Sequence, residues 1–317
     1  MDFNYMLGAI PSPADPRDWR LARIAKVTSE HEQEYKSPWM PPVYNQGRVG
    51  SCVAHAIRTL LEAQEHKENG TYTQLSDGFI YANRDIEARH WNGEGLVPAQ
   101  ALSMIKNDGV CLKALYPSNV DYKIGKDNLT PEMFDNAPPY AIEGYARIYD
   151  TDEAMSAIKE LCGIIIMIPV YNNFRTTKGI VNPTIEAMTN KTVGYHEVVV
   201  YGWKHIDGVL YWLVRNSWKD TWGNNGDCYL HSSYSPVSER WAITNKPTVN
   251  QQFCYLWKLG ETSISNTVND DIIESDVPLQ TINGRTLAPV RILAELLDNI
   301  VGWDNSSKTL IICKPYN

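Results

Sequence analysis

Apolar and polar positions along the chain predict a helical part followed by a strand-rich part. Apolar residues recur at helical spacing from Ser51 to about Glu68, which predicts an amphipathic helix. Further helices are predicted at 76–88, 98–106 and 151–161. Short β-rich runs separated by Gly, Asp and Asn are predicted to be strands and span 164–170, 197–203, 209–216 and 226–231. Helices first and strands afterwards favour an α+β protein with two lobes.

Beyond this body, a polar stretch and a short patterned unit predict a separate C-terminal module. Residues 259–277 are rich in Asp, Asn, Ser and Thr and are predicted to be a linker. In 278–317, short apolar runs flank Asn283-Gly284, the sequence signal for a two-residue hairpin, and 290–297 has helical periodicity. The order hairpin, helix, hairpin predicts a small α+β accessory module. Because so few residues bury little surface, we expect it to pack on the main body or on a second copy.

Composition argues against two classes of function, nucleic-acid binding and membrane insertion. Hydrophobic residues make up 43% of the chain and charged residues 21%, which is typical of a soluble globular protein. The net charge of -8, with no strong basic block, argues against nucleic acid as the main partner, because phosphate neutralisation needs a clustered basic surface. No stretch approaches the roughly 20 apolar residues of a membrane helix, so membrane insertion is not predicted.

No secretory signal is visible at the N-terminus, because Met1 to Arg20 lacks a basic start followed by an apolar block. We therefore expect a cytoplasmic protein, or one released or held at the cell surface by a route that the sequence does not encode. The cysteines contain no CxxC pair, which suits neither a zinc site nor a dense disulfide framework. They are Cys52, Cys111, Cys162, Cys228, Cys254 and Cys313.

Cys52 is the one cysteine whose surroundings indicate chemistry. It lies at the first turn of the predicted helix, where unpaired backbone N–H groups and the helix dipole favour the thiolate. Gly47 and Gly50 allow a tight turn before the helix. Gln46 can point its amide at a carbonyl oxygen that becomes negative. The structural alternative is a buried cysteine at a helix start.

Two later segments supply partners for this thiol. His196 begins an apolar strand, which would hold its imidazole rigidly at a cleft wall. Asn216 precedes Ser217-Trp218, and its side-chain oxygen can accept a hydrogen bond from the imidazole and fix its tautomer, as the third member of a triad does. A neutral orienting group suits a thiolate–imidazolium pair.

Taken in order, these motifs resemble the papain family of cysteine peptidases. The matching residues are Gln46, Gly50-Ser51-Cys52, His196, Asn216-Ser217-Trp218, Trp222-Gly223 and Gly226. His196 follows Cys52 by 144 residues, inside the family interval of roughly 130–150. The resemblance covers about residues 39–245 and is strongest to bacterial members. It implies a helical lobe beside a β-barrel-like lobe, and it implies no cofactor and no metal.

The resemblance also implies roles for the matching residues. Cys52 would attack the carbonyl carbon of a polypeptide substrate, and His196 would take and then return the proton. Asn216 would orient His196, while Gln46 and the Cys52 N–H would form the oxyanion hole. Two further residues are implied on the substrate side: Gly95 would line the cleft, and Trp218 would shield the Asn216–His196 bond.

The first 38 residues are predicted to be an N-terminal extension of a peptidase domain at 39–258. They include an irregular stretch with Pro11, Pro13 and Pro16. We interpret this extension as packed on the body. The sharper hypothesis is that it lies across the cleft as a short inhibitory segment.

The C-terminal unit resembles the copper-amine-oxidase N-terminal-like module. The resemblance rests on 283–291, 294–297 and 301–304. Despite the name, the unit offers no metal ligands, since it has no His and Cys313 stands alone. Such modules occur on surface proteins of Gram-positive bacteria, so we interpret the unit as an attachment, dimerisation or substrate-targeting module.

Three hypotheses on function stay open. The leading one is an endopeptidase or exopeptidase that acts on polypeptide through a thioester acyl-enzyme. The second is hydrolysis of peptide bonds in cell-wall crosslinks, which the C-terminal module motivates. The third is a catalytically silent papain-fold binding protein, and the presence of the triad with Gln46 argues against it.

Overall fold

A computed structural model divides the chain into two compact units, Met1–Pro247 and Thr248–Asn317. The structure describes residues 6–13, 15, 18–21, 24–84, 94–116, 126–185, 194–234 and 239–245, together with the strands of the second unit between 254 and 313. Among these residues, no helix is both long and apolar enough to cross a membrane.

Most helices of the first unit precede its long strands, as the hydrophobic pattern predicts. They are α1 (Cys52–Asn69), α2 (Asp77–Ala82), α3 (Pro98–Asp108), α4 (Pro131–Asn136), α5 (Thr151–Glu160) and α6 (Asn172–Arg175). The observed bounds of α1, α3 and α5 lie within two residues of the predicted ones. Helix α2 ends at Ala82, and residues 85–88 of the predicted helix lie outside the described residues.

Eight strands form one mixed sheet in the first unit. They are β1 (Glu34–Lys36), β2 (Gly144–Arg147), β3 (Ile164–Pro169), β4 (Ile180–Val181), β5 (Tyr195–Ile206), β6 (Val209–Arg215), β7 (Asp227–His231) and β8 (Glu239–Thr244). The spatial order is β2-β8-β3-β5-β6-β7-β4, and β1 also pairs with β5. All pairs are antiparallel except β4 with β7. The four predicted strands correspond to β3, β5, β6 and β7.

Two hydrophobic cores lie on opposite faces of this sheet. Ile165, Met167 and Val199 belong to a core that also contains apolar residues from α1, α2 and α3. Ile166 and Val198, each next in sequence to one of these, belong to the other core, with α5 and a group of tryptophans. This alternation follows from the two-residue period of a strand. The predicted α+β, two-lobe fold is confirmed.

The second unit contains two sheets. Its strands are β9 (Cys254–Lys258), β10 (Ser263–Asn266), β11 (Ile272–Glu274), β12 (Gln280–Ile282), β13 (Arg285–Leu287), β14 (Ile300–Asp304) and β15 (Thr309–Cys313). One sheet has the order β11-β10-β9-β15-β14, and the other pairs β12 with β13. Ile282 pairs with Arg285, so two residues connect that hairpin, as the Asn-Gly signal predicts. The helix predicted at 290–297 lies outside the described residues.

The strands of the second unit begin earlier than the sequence pattern suggests. Strand β9 falls at the end of the predicted peptidase domain, and β10 and β11 fall in the predicted linker. The linker prediction rested on polar composition, and short strands in an antiparallel sheet tolerate polar residues on one face. Strand β9 pairs with β15 over five residues, although the two segments are far apart in the chain. A local sequence pattern cannot predict such a pairing.

Candidate active site

Cys52 is the first residue of α1 and is fully buried. The turn before it is tight, since Gly47 has a φ of 63° and the Ser51 N–H donates to the Val49 carbonyl at 2.8 Å. Backbone groups of Glu197 and Gly8 lie close enough to the Cys52 sulfur to lower its pKa, against the larger effect of burial. The sulfur is therefore next to the residue that follows His196 on β5.

His196 and Asn216 form a buried hydrogen-bonded pair. His196 lies near the start of β5, and Asn216 follows the last residue of the neighbouring β6. The distance from His196 Nε2 to Asn216 Oδ1 is 2.7 Å. Asn216 Oδ1 also accepts from the Ser217 N–H at 2.8 Å, which identifies this atom as the oxygen. Nε2 of His196 therefore carries the proton, and Nδ1 is the basic nitrogen.

The Nδ1 atom of His196 makes no hydrogen bond to any described residue. In this state the imidazole is thus oriented as a base and does not yet hold the thiol proton. The ring is fixed from its other side by Trp218, which stacks on it with a centroid distance of 4.5 Å and an angle of 30°. Trp218 is itself fully buried and packs on Phe174 and Trp222, so it contacts the His196 ring and does not line the groove.

Gln46 is tied to the same group of residues. Its Oε1 accepts from the Ser217 hydroxyl at 2.7 Å, and its backbone N–H donates to the Ser217 carbonyl at 2.9 Å. Its Nε2 donates to the Val49 carbonyl and to the Met6 carbonyl, each at 3.0 Å. The Met6 carbonyl oxygen therefore occupies the donor that the sequence analysis assigned to an oxyanion hole.

Met6 is the first described residue of a segment that crosses the groove above Cys52. We call residues 6–12 the N-terminal segment. The Leu96 N–H donates to the Gly8 carbonyl at 2.8 Å, and the Ile10 N–H donates to the Leu96 carbonyl at 3.1 Å. From the other wall, the Tyr195 carbonyl accepts from the Ala9 N–H at 3.4 Å. The segment thus bridges both walls of the groove as an added strand would.

Gly95 lies under this segment, on the wall opposite His196. A Cβ atom at Gly95 would meet the Gly8 carbonyl oxygen at 2.9 Å and the Ile10 side chain at 3.0 Å. Its φ of 92° also favours glycine. The backbone N–H of Gly95 donates to the Tyr81 hydroxyl at 3.0 Å. The structure therefore brings Gly95 to the groove that also contains Cys52 and Gln46.

A buried charge network, which the sequence analysis did not identify, anchors α1 behind Cys52. Asp77 contacts both His55, at 3.1 Å from Nε2, and Arg58. Glu62 accepts from the Tyr44 hydroxyl at 2.6 Å and from the Leu75 N–H at 2.8 Å. The sequence does contain a signal for this network, because His55, Arg58 and Glu62 are spaced along one face of α1. The network fixes the helix that presents the thiol.

Burial decides the protonation states of the two central groups. It raises the pKa of the Cys52 thiol to about 11 and lowers the pKa of His196 to about 4. The position of Cys52 at a helix N-terminus, taken alone, predicted a thiolate. In the closed groove desolvation outweighs the helix end, so both the thiol and the imidazole are neutral.

This burial predicts a steep pH dependence of thiol alkylation. The thiolate is the reactive form, and the pKa of Cys52 is about 11. Labelling of Cys52 by iodoacetamide in the full-length chain should therefore rise about tenfold per pH unit across the neutral range. Peptide mapping by mass spectrometry separates Cys52 from the buried Cys111 and Cys228. A labelling rate that is already constant at neutral pH would contradict this assignment.

Comparison with known proteins follows the same division of the chain. The sequence model of the papain family of cysteine proteases matches residues 28–250. The sequence model of the copper amine oxidase N-terminal domain matches residues 258–314. Among curated relatives, Cysteine proteinase 2 of Zea mays is 28% identical over 217 residues, which cover 65% of this chain and 56% of that protein. Peptidase 1 of Dermatophagoides pteronyssinus is 33% identical over 194 residues, which cover 60% and 57%.

Solved structures share the fold of the first unit. Xylellain, a cysteine protease from Xylella fastidiosa, superposes with a TM-score of 0.63 at 22% identity and covers 77% of this chain and 97% of its own. Bromelain from Ananas comosus, in complex with the E64 inhibitor, gives a TM-score of 0.55 at 22% identity, covering 68% and 100%.

The chain belongs to the papain family of cysteine proteases, because the family match spans more than half of its length. Both predicted resemblances, to that family and to the copper-amine-oxidase module, are confirmed. The chain spans about half to three-fifths of the length of the first curated relatives it matches.

Proposed function

We propose that the chain is a cysteine peptidase that hydrolyses peptide bonds of polypeptides through a thioester acyl-enzyme. The observation that carries this proposal is a hydrogen-bonded series that runs from Gln46 through Ser217 and Asn216 to His196. The backbone of Glu197, the residue after His196, lies close to the buried sulfur of Cys52. The roles are those of nucleophile, base, orienting amide and oxyanion donor.

The reaction follows from these roles once a substrate lies in the groove. The Cys52 S–H proton moves to His196 Nδ1 as the sulfur attacks the carbonyl carbon, and the oxyanion accepts from Gln46 Nε2 and the Cys52 N–H. His196 then gives its proton to the leaving amine, and the C–N bond breaks. A water molecule attacks the thioester, His196 takes its proton, and the acid product leaves as the proton returns to the sulfur.

The same proposal includes a latent state in which the N-terminal segment blocks the groove. Three observations support it: the Met6 carbonyl takes the Gln46 donor, the segment bonds to both walls, and Cys52 has no exposed surface. A side chain at Gly8 would meet the Gly50 carbonyl oxygen at 1.8 Å. The variant Gly8→Val therefore offers a way to open the groove in the full chain.

Gln46 provides a test of the oxyanion assignment. In the full chain carrying Gly8→Val, adding Gln46→Ala should lower kcat for a labelled casein by about 10²- to 10³-fold, as the loss of one oxyanion donor does. The matched control is Arg48→Ala, since Arg48 is an exposed neighbour in the same loop and should leave kcat within about twofold. Equal kcat values for the Gln46→Ala and Arg48→Ala chains would remove Gln46 from the mechanism.

A further inference from the structure

A small cavity lies next to Asn216, between α1 and the strands β5 and β6. Its volume of about 10 Å³ is roughly the room that one water molecule needs. The helix contributes His55, Ala56 and Thr59 to its lining, and the two strands with the residues after β6 contribute 197–199 and 215–217. All of these residues except Arg215 are buried. A molecule held in the cavity would therefore contact the protein and not bulk solvent.

Three residues of this lining carry polar atoms without a hydrogen-bond partner. Nδ1 of His55 and Nδ2 of Asn216 make no hydrogen bond to any described residue, and the two residues are 1% and 2% exposed. The carboxyl oxygens of Glu197 are likewise without a partner among the described residues. Burying such atoms unsatisfied costs free energy, so a ligand that reaches them would be held there.

The contact of His55 with Asp77 decides what kind of ligand fits. His55 Nε2 lies 3.1 Å from Asp77 Oδ2. A carboxylate only accepts, so this contact favours the proton on Nε2 and leaves Nδ1 of the neutral ring as an acceptor. Asn216 Nδ2, in contrast, is a donor. Water both donates and accepts and can serve the two atoms at once, whereas a cation would face the Asn216 N–H groups and an anion would face the His55 lone pair.

A link between these two atoms would act on the catalytic histidine. Asn216 Oδ1 is already held by His196 and by the Ser217 N–H, but no described residue holds the nitrogen end of the same amide. An amide fixed at both ends cannot rotate, so the hydrogen bond to His196 Nε2 keeps one direction. His55 is also close enough for its charge to act on His196. Burial is the largest cause of the low pKa of His196, and the His55 charge contributes in the same direction.

We propose that His55 is a positioning residue for His196, and that it acts through one water molecule bound between His55 Nδ1 and Asn216 Nδ2. The inference rests on the proposed peptidase function. The water accepts a hydrogen bond from Asn216 and donates one to His55, while Asp77 holds the other side of the His55 ring. The series of contacts therefore runs from Asp77 through His55, the water and Asn216 to the base that takes the thiol proton.

Kinetics test the positioning role in the full chain carrying Gly8→Val. His55→Phe keeps a ring and removes the acceptor, so it should lower kcat for labelled casein about tenfold and leave KM within about twofold, because no substrate contact is lost. His55→Gln restores an acceptor and should recover most of the loss. The matched control is His31→Phe, since the His31 side chain is 7% exposed and its Nε2 lies 3.5 Å from Asp152. His31 packs on Trp203, in the core on the other face of the sheet from α1, so its replacement should leave kcat within about twofold.

A crystal structure of the full chain, at a resolution that shows ordered water, tests the binding site without relying on activity. One water molecule within hydrogen-bond distance of both His55 Nδ1 and Asn216 Nδ2 is expected, and the crystal structure of the His55→Phe chain should lack it. A cavity without water, or a water molecule that contacts only one of the two atoms, would overturn the inference.

The outcomes separate this inference from the function on which it rests. If casein is cut but His55→Phe lowers kcat no more than His31→Phe does, or if His55→Gln recovers nothing, His55 does not position the base and the peptidase proposal stands. Thermal unfolding of each variant shows whether a lost rate is a lost fold, and the crystal structure of the wild-type chain decides if His55→Phe does not fold. If no casein is cut and a thiol-directed epoxide fails to label Cys52, the peptidase proposal fails, and this inference fails with it.

Discussion

Replacing Cys52 with alanine should lower peptide hydrolysis by about 10⁴-fold or more, because removing the nucleophile eliminates the acyl-enzyme route. The effect is read as the rate of labelled casein cleavage by the full chain, with Gly8→Val present in both proteins to keep the groove open. The fold should survive, since the sulfur is replaced by a smaller apolar group at the first turn of α1, and alanine is a good helix former.

The matched control for this loss is Cys228→Ala. Cys228 is also a free, fully buried cysteine, but it lies on β7 in the core on the other face of the sheet. Its substitution removes a thiol of similar burial without touching the groove, so casein cleavage should persist. Retained cleavage by the Cys52→Ala chain would rule out Cys52 as the nucleophile.

Gly8→Val should raise the activity of the full-length chain by roughly 30- to 100-fold. A side chain at residue 8 cannot coexist with the Gly50 carbonyl oxygen at 1.8 Å, so the N-terminal segment must leave the groove. The segment holds its place through hydrogen bonds to Leu96, Tyr195 and Gln46. Losing two or three such bonds, each of about 1 kcal/mol, weakens closure by about 2–3 kcal/mol, which corresponds to the stated factor.

Pro13→Ala is the control for opening, because Pro13 is an exposed residue just beyond the segment. Its activity should equal that of the wild-type chain. Initial rates on labelled casein, together with iodoacetamide labelling of Cys52 at neutral pH, report opening in two independent ways. Wild-type activity equal to that of the Gly8→Val chain would mean that the segment does not restrain the enzyme.

Local sequence patterns were sufficient to predict the helix that carries Cys52 and the strand that carries His196. The helical spacing after Ser51 predicts the helix that presents Cys52, because an amphipathic helix of that length has an unambiguous period. The apolar run after His196 likewise predicts a long strand. The order of motifs along the chain then selects the family, although each motif alone is weak.

Local sequence patterns could not predict features that depend on contacts between segments far apart in the chain. Glu197 and Glu239 flank Met167 in the sheet because Met167 pairs with both, and strand order within a sheet is not a local property. In the sequence, Glu197 is a single charge at the start of an apolar run. The contact between Met6 and Gln46 joins residues of different segments in the same way.

Prediction of the thiol's protonation state failed for a related reason. The helix N-terminus favours a thiolate by a modest amount, and this part can be predicted from sequence. Desolvation by burial raises the pKa of Cys52 further than the helix end lowers it. Only a structure reveals that the N-terminal segment covers the sulfur.

Covalent trapping tests the central claim most directly. The full chain and its Gly8→Val variant are incubated at neutral pH with a thiol-directed epoxide, digested and mapped by mass spectrometry. A single adduct on Cys52, formed much faster in the Gly8→Val chain than in the wild type, is the predicted result. An adduct on another cysteine, or no adduct on Cys52 in either protein, would contradict it.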